Sequence, residues 1–282
     1  MKYIIIFFFA TKLCIGQQAD STKAFHYALA TEIVMYSATM YALNDLWYKD
    51  YPRSSFHWYN DNSNWLQMDK IGHATTAYSV GLQGRDLMLW AGVPEKKALW
   101  FGGLYGSFFL TTIEILDGFS KEWGASWGDL IANTSGTMLF IGQELLFKEQ
   151  RVQMKYSFAP TDYAKHNPDL LGQNFIQQSL KDYNGQVYWL SFNISSFKTT
   201  TLPDWLNFAI GYGADGMLNG NSDEINAKRE YYLSFDINLR KIKTNSRFLE
   251  KTLKILSFIK VPLPAFKFSN EKIDFYPIHY GQ

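Results

Sequence analysis

Two periodicities divide this chain. Up to residue 147 the apolar residues run in long stretches broken by polar turns, and their spacing predicts four helices. The first covers 24–47, where Glu32 is the single charge between Ala28 and Leu43. The second starts near Asp69 and runs through His73 and Tyr78, the third covers 97–116 and the fourth 127–147. After Arg151 the period becomes two: Val152, Met154, Tyr156 and Phe158 alternate with Gln153, Lys155 and Ser157. The same alternation returns at 188–195, 206–212 and 230–239, and a last strand is expected between Lys272 and Tyr280. This is the pattern of an antiparallel sheet with one apolar face. Five strands fall short of the roughly eight that a closed membrane barrel needs, so the apolar face is expected to lie on the helices or on lipid. The fold class is therefore α+β. An N-terminal bundle of about four apolar helices occupies 17–150, and a strand-rich region with one amphipathic helix occupies 151–282.

The N-terminus and the composition add a location. Lys2, an apolar run over 3–10 and a cleavage zone ending at Gly16 read as a secretory signal over 1–16, which leaves Gln17 as the mature start and a periplasmic, membrane-associated protein. Lys12 and Leu13 stand where a small, uncharged approach to Cys14 would be needed for acylation, so no lipid is expected there. Removal of the signal takes the only cysteine with it and excludes disulfides, thiolate metal ligands and a cysteine nucleophile. The formal net charge is only +1, which gives no footprint for nucleic acid. Aromatic residues make up 17%, a composition suited to a boundary between apolar and wet surroundings. The longest uncharged helical run, 98–113, would cover about 24 Å of a hydrocarbon core about 30 Å thick. A bundle packed on itself, or seated partly in a membrane, is thus preferred to a channel. Near the end, Phe248, Leu249, Leu253, Leu256 and Ile259 recur at helical spacing. They lie among Arg240, Lys241, Lys243, Arg247, Lys251, Lys254 and Lys260, with Glu250 the one opposing acid, as in helices that lie on anionic lipid. An ordinary surface helix with its basic face in water fits equally. The expected partners are a membrane lipid surface and an envelope protein.

Three polar clusters interrupt the apolar half. Asp69, Lys70 and His73 form the first, and Asp69 and His73, four apart, share a helix face. Glu114 and Asp117 form the second, at the end of the third helix. Ser126, Asp129 and Asn133 form the third, with Gly136 continuing their face. Each has a structural explanation on its own. Asp69 suits an N-cap, and Ser126 with Asp129 suits a capping box opening the fourth helix. Lys70 suits a partner for Glu114, Asn133 a residue that fixes register, and Gly136 a close helix contact. Together those explanations weaken, because buried carboxylates and histidine must be paired to avoid a large desolvation cost. The clusters are therefore expected to meet in space, with His73, Glu114, Asp117 and Asp129 as the chemical groups and Asp69, Lys70, Ser126 and Asn133 around them.

The strings DKIGH, E-x-x-D-G and GAS-x-GD-x-x-AN-x-x-G over 44–147 resemble a bacterial domain of unknown function described as a predicted periplasmic lipoprotein, and more distantly the VanZ-like membrane proteins. The resemblance implies a membrane-associated helical domain whose polar positions fall on Asp69, Lys70, His73, Glu114, Asp117, Asp129 and Asn133, and it brings no reaction with it. The preferred reading is an envelope scaffold or assembly factor with a satisfied polar network. The alternative is an enzyme on an envelope lipid or glycan with His73 as base or metal ligand, Glu114 and Asp117 as ligands or acid, and Asp129 to orient them. The sequence names no cofactor, although neutral imidazole with carboxylates suits Zn, Mn or Fe. The glycines of GYGADG (Gly211, Gly213, Gly216) follow a strand but precede no helix, so they read as a bulge or close strand packing and not as a dinucleotide site.

Overall fold

The computed structural model describes residues 21–49, 51–198, 200–220, 227–270 and 272–281. The expected signal sequence, with Cys14 and Gly16, lies outside the described residues. Four long helices come first: α1 (Ser21–Leu43, continued by a wide turn over Asn44–Tyr48), α2 (Met68–Trp90), α3 (Glu95–Gly118) and α4 (Trp127–Phe147). Six strands follow: β1 (Val152–Phe158), β2 (Gln186–Asn193), β3 (Leu206–Asp215), β4 (Lys228–Ile237), β5 (Leu263–Ser269) and β6 (Lys272–His279). The amphipathic helix α5 (Arg247–Ile255) lies between β4 and β5. The α+β architecture is as the periodicity indicates.

Helix α2 is the hub. It packs against α1, α3 and α4, and its other contacts reach β1 and β2. Small residues allow the close approach: a Cβ on Gly106 of α3 would stand 2.2 Å from the Ala77 carbonyl oxygen, and one on Gly136 of α4 would stand 2.0 Å from that of Ala74. Local signals set the ends. Ser126 caps α4 by accepting a bond from the Asp129 amide, as its position in the motif predicts. Trp65, Leu66 and Gln67 all carry positive φ immediately before α2, a left-handed run that turns the chain into the helix. The outward faces stay apolar. Phe101, Leu104, Phe108 and Ile115 are exposed along α3, and Trp127, Ile131, Met138 and Leu145 along α4. Among the described residues one helix, Glu95–Gly118, is long and apolar enough to cross a membrane.

The sheet is an antiparallel meander in the order β1-β2-β3-β4-β5-β6. Its faces are reversed relative to a soluble one-sided sheet. The enclosed face carries Gln153, Lys155, Ser191, Asn207, Glu230 and Asp236, all at 3% exposure or less. Curling of the sheet encloses them. The His279 ring at the end of β6 lies 5.7 Å from Trp189 of β2 and 4.7 Å from Tyr232 of β4. The Lys260 amide bonds the Tyr156 carbonyl at the edge of β1, and a Cβ on Gly281 would strike the Ala159 amide. Part of the polar face is paired internally, by a Lys155–Asp236 ion pair of 2.6 Å and by Ser191, which donates to Asp236 and accepts from Asn207. The apolar face points outward. Over β1 and β2 it meets the helices, where Tyr188 packs with Leu66 and Met68, and Met154 packs against the cluster of Tyr78, Leu82 and Phe140. Farther along, Ile210, Tyr231, Leu233, Phe235, Phe266 and Phe275 are exposed.

Two sequence expectations need correction. Six strands are present among the described residues where the alternation gives five: β5 carries Pro264, which interrupts the pattern, and the register shift between Leu263 and Ala265 takes it out of the ladder. The basic stretch also supplies fewer surface charges than its composition promises. Arg240 forms a double bond pair with Asp86, Lys241 bonds Asn193 and Ser196, and Lys260 is buried. The glycines of GYGADG act in strand packing as expected: a Cβ on Gly211 would stand 2.8 Å from the Trp189 ring, and Gly216 has φ +85°.

Candidate functional site

The close contacts of α2 at Gly106 and Gly136 carry His73, one residue before Ala74, to the end of α3 and the start of α4. There the three sequence clusters come together. The His73 ring lies 3.8 Å from Glu114 and 4.0 Å from Asp129. Its Nδ1–H donates to Asn133 Oδ1 at 3.0 Å, which fixes the ring and leaves Nε2 facing Asp69 Oδ1 at 3.6 Å and Asp129 Oδ1 at 4.0 Å. Neither of those distances is a hydrogen bond. Asp69, His73 and Asp129 offer ligand atoms within 4.8 Å of one another.

Lys70 does not pair with Glu114, as its position had led us to expect. Its ammonium meets Asp61 at 2.7 Å, Asp69 at 3.0 Å and Asp129 at 2.9 Å. Nor is Asp69 a helix cap, since α2 begins at Met68 with no side-chain cap. Asp69 instead accepts a bond from the Tyr183 hydroxyl at 2.6 Å. Asp117 accepts from the Tyr48 hydroxyl at 2.7 Å. Ser126, besides capping α4, donates to Asp61 at 2.6 Å, and its amide donates to Glu114 Oε2 at 3.0 Å. Glu114 Oε1 and Asn133 Nδ2 are buried without a hydrogen-bond partner. Sequence reasoning missed Asp61, Tyr48 and Tyr183. They come from the turn before α2, the end of the first helix and the turn before β2, and no spacing relates them to the helical motif.

Five carboxylates thus surround two cations. Burial opposes charge on His73, but Asp69, then Asp129 and Glu114, outweigh it and raise the imidazole to about 9. Burial pushes Glu114 up to about 8 against the pull of His73, and pushes Asp117 up to about 6 despite the Tyr48 bond. Asp129 is raised by burial and by the neighbouring Asp69 carboxylate. Asp69 moves the other way: burial would raise it, but His73, Lys70 and Tyr183 hold it below the usual carboxylate range. The centre therefore sets a carboxyl raised at Glu114 against one lowered at Asp69, each within 4 Å of the same imidazole. Environments that push titrating groups apart in this way supply a proton donor and a proton acceptor side by side.

Residues 57–142 match the family model described as "Predicted periplasmic lipoprotein (DUF2279)". The matched stretch contains Asp61, Asp69, Lys70, His73, Glu114, Asp117, Ser126, Asp129 and Asn133. Tyr48, Tyr183 and every strand lie outside it. No curated protein and no solved structure matches the chain.

Proposed function

We propose that the protein acts in the periplasm at the envelope membrane as an acid–base or metal-dependent enzyme on an envelope lipid or glycan, with His73 at its centre. One observation carries this reading. The His73 ring is oriented by Asn133 yet turns Nε2 toward Asp69 and Asp129 at distances too long for hydrogen bonds. A network built only to fix helix register is expected to satisfy its own donors and acceptors, because half-satisfied buried networks cost stability. An imidazole with two carboxylates suits a divalent ion such as Zn, Mn or Fe, and Asn133 takes the place of the outer-shell group that sets the ring tautomer. Glu114, held protonated, is the group placed to donate a proton. The periplasmic location follows the description of the matched family, and the exposed apolar faces of α3 and α4 favour a substrate drawn from the membrane.

A scaffold reading is favoured by a different observation, the bridging of Asp61, Asp69 and Asp129 by Lys70. Elemental analysis of the purified protein separates the two. The enzyme reading expects stoichiometric divalent metal that is lost in both His73→Ala and Asp129→Asn while the fold is retained. Fully folded, metal-free protein that takes up neither Zn nor Mn on titration would leave the scaffold reading in its place.

A further inference from the structure

The outer face of the sheet is organised in rows. Strand register places Met154, Leu190, Ile210, Leu233, Phe266 and Phe275 side by side across all six strands. The next row on the same face is aromatic, with Tyr156, Tyr188, Tyr212 and Tyr231 paired in turn across β1 to β4. Beyond Tyr231 the strand ends carry Arg229 and Lys272, both exposed. From β1 to β3 the helices cover much of this face. From β4 to β6 nothing among the described residues does, and Tyr231, Leu233, Phe235, Phe266 and Phe275 are between 37% and 56% exposed.

We infer that this uncovered face of β4 to β6 is seated in the hydrocarbon of a phospholipid membrane, with Tyr231, the exposed end of the tyrosine row, at the headgroup level and Arg229 and Lys272 against anionic phosphates. Three observations favour lipid over a second protein. First, the alternation is inverted. Glu230, Tyr232, Ser234 and Asp236 point into the enclosed interior and the residues between them point out, the pattern of strands whose outer surroundings are apolar. Second, the outward residues of β4 run Phe235, Leu233, Tyr231, Arg229, which reproduces the order of hydrocarbon, interface and phosphate, and tyrosine prefers that interface. Third, exposed apolar stripes also run along α3 and α4, so apolar surface is spread over several elements and is not confined to one patch. The inference does not depend on chemistry at His73, and it places the seat on the sheet and not on the basic stretch around α5.

Environment-sensitive labels test it in the full chain with Cys14→Ser. Single cysteines at Leu233→Cys and Phe275→Cys are labelled with a polarity-sensitive fluorophore, beside a control at Glu122→Cys in the turn between α3 and α4. The protein is mixed with vesicles of phosphatidylethanolamine and phosphatidylglycerol, with and without doxyl-labelled lipid. Both sheet labels should shift to the blue and be quenched by the doxyl groups while the control does neither. Phe235→Asp with Phe266→Asp, shown to be folded by its far-UV spectrum and melting curve, should weaken vesicle partitioning by at least about tenfold. The inference is overturned if the sheet labels stay in a water-like environment on vesicles. It is equally overturned if they become protected without lipid as protein concentration rises, which would assign the face to a second copy.

Discussion

The Tyr183 hydroxyl donates to Asp69 Oδ1 at 2.6 Å, joining the turn before β2 to the first turn of α2. This bond links the sheet to the charged centre, and it helps hold Asp69 ionised beside Glu114. Tyr183→Phe removes the donor and little else. The expected cost is about 1.5 to 3 kcal/mol, the range for a hydrogen bond to a charged group. Urea denaturation measures the loss. The same variant should move the titration of Asp69, followed by NMR of its carboxyl carbon, to higher pH, because the hydroxyl bond favours the ionised carboxylate. An unchanged Asp69 titration would separate Tyr183 from the centre.

Stability should fall as pH rises from about 5 to 9. Glu114, raised from 4.5 to about 8, and His73, raised from 6.5 to about 9, both bind protons more tightly in the folded state. Each therefore contributes stability that is complete below its unfolded value and lost as pH climbs through its folded value. The windows overlap between 6.5 and 8. Within its window each group changes stability by up to about 1.4 kcal/mol per pH unit. Glu114→Gln should reduce the slope between about pH 5 and 8 and leave the loss from 6.5 to about 9 that belongs to His73. Denaturation series at three pH values give the test, and stability that rises with pH would contradict the assignment of both groups.

How much of this was legible in the sequence depends on what a pattern can encode. The helical faces of Asp69 with His73 and of Asp129 with Asn133 follow from four-residue spacing, and their convergence follows from the small residues at 106 and 136 that let α2 approach both neighbours. Lys70 was misassigned because spacing along α2 gives its direction but not which of several acids lies there. Tyr48, Asp61 and Tyr183 were invisible for a related reason: turns contribute single side chains with no period. The sheet offers the parallel lesson. Alternation separates Lys155, Ser191 and Asp236 from Met154, Leu190 and Phe235, but two faces alone do not say which one is enclosed. Closure at His279 and Gly281 decides that, and it is a property of the folded chain.

The enclosed face yields the last prediction. Lys155 and Asp236 pair at 2.6 Å with neither side chain exposed to solvent, and Asp236 also accepts from Ser191 at 2.7 Å and from the Val261 amide at 3.2 Å. Lys155 further donates to the Ile237 carbonyl at 2.8 Å. Lys155→Met leaves a carboxylate buried without its counter-charge, a loss of about 3 to 5 kcal/mol. Adding Asp236→Asn to that variant removes the stranded charge and keeps an oxygen for the Val261 amide and an amide group for the Ser191 hydroxyl. The double variant should therefore be more stable than Lys155→Met alone by about 2 kcal/mol, so that its cost falls well below the sum of the two single costs, as expected of neighbours that share one network. Denaturation of the single and double variants in one mild detergent closes the cycle. Costs that simply add would mean that water reaches the two groups, and that the polar face of the sheet is open and not sealed.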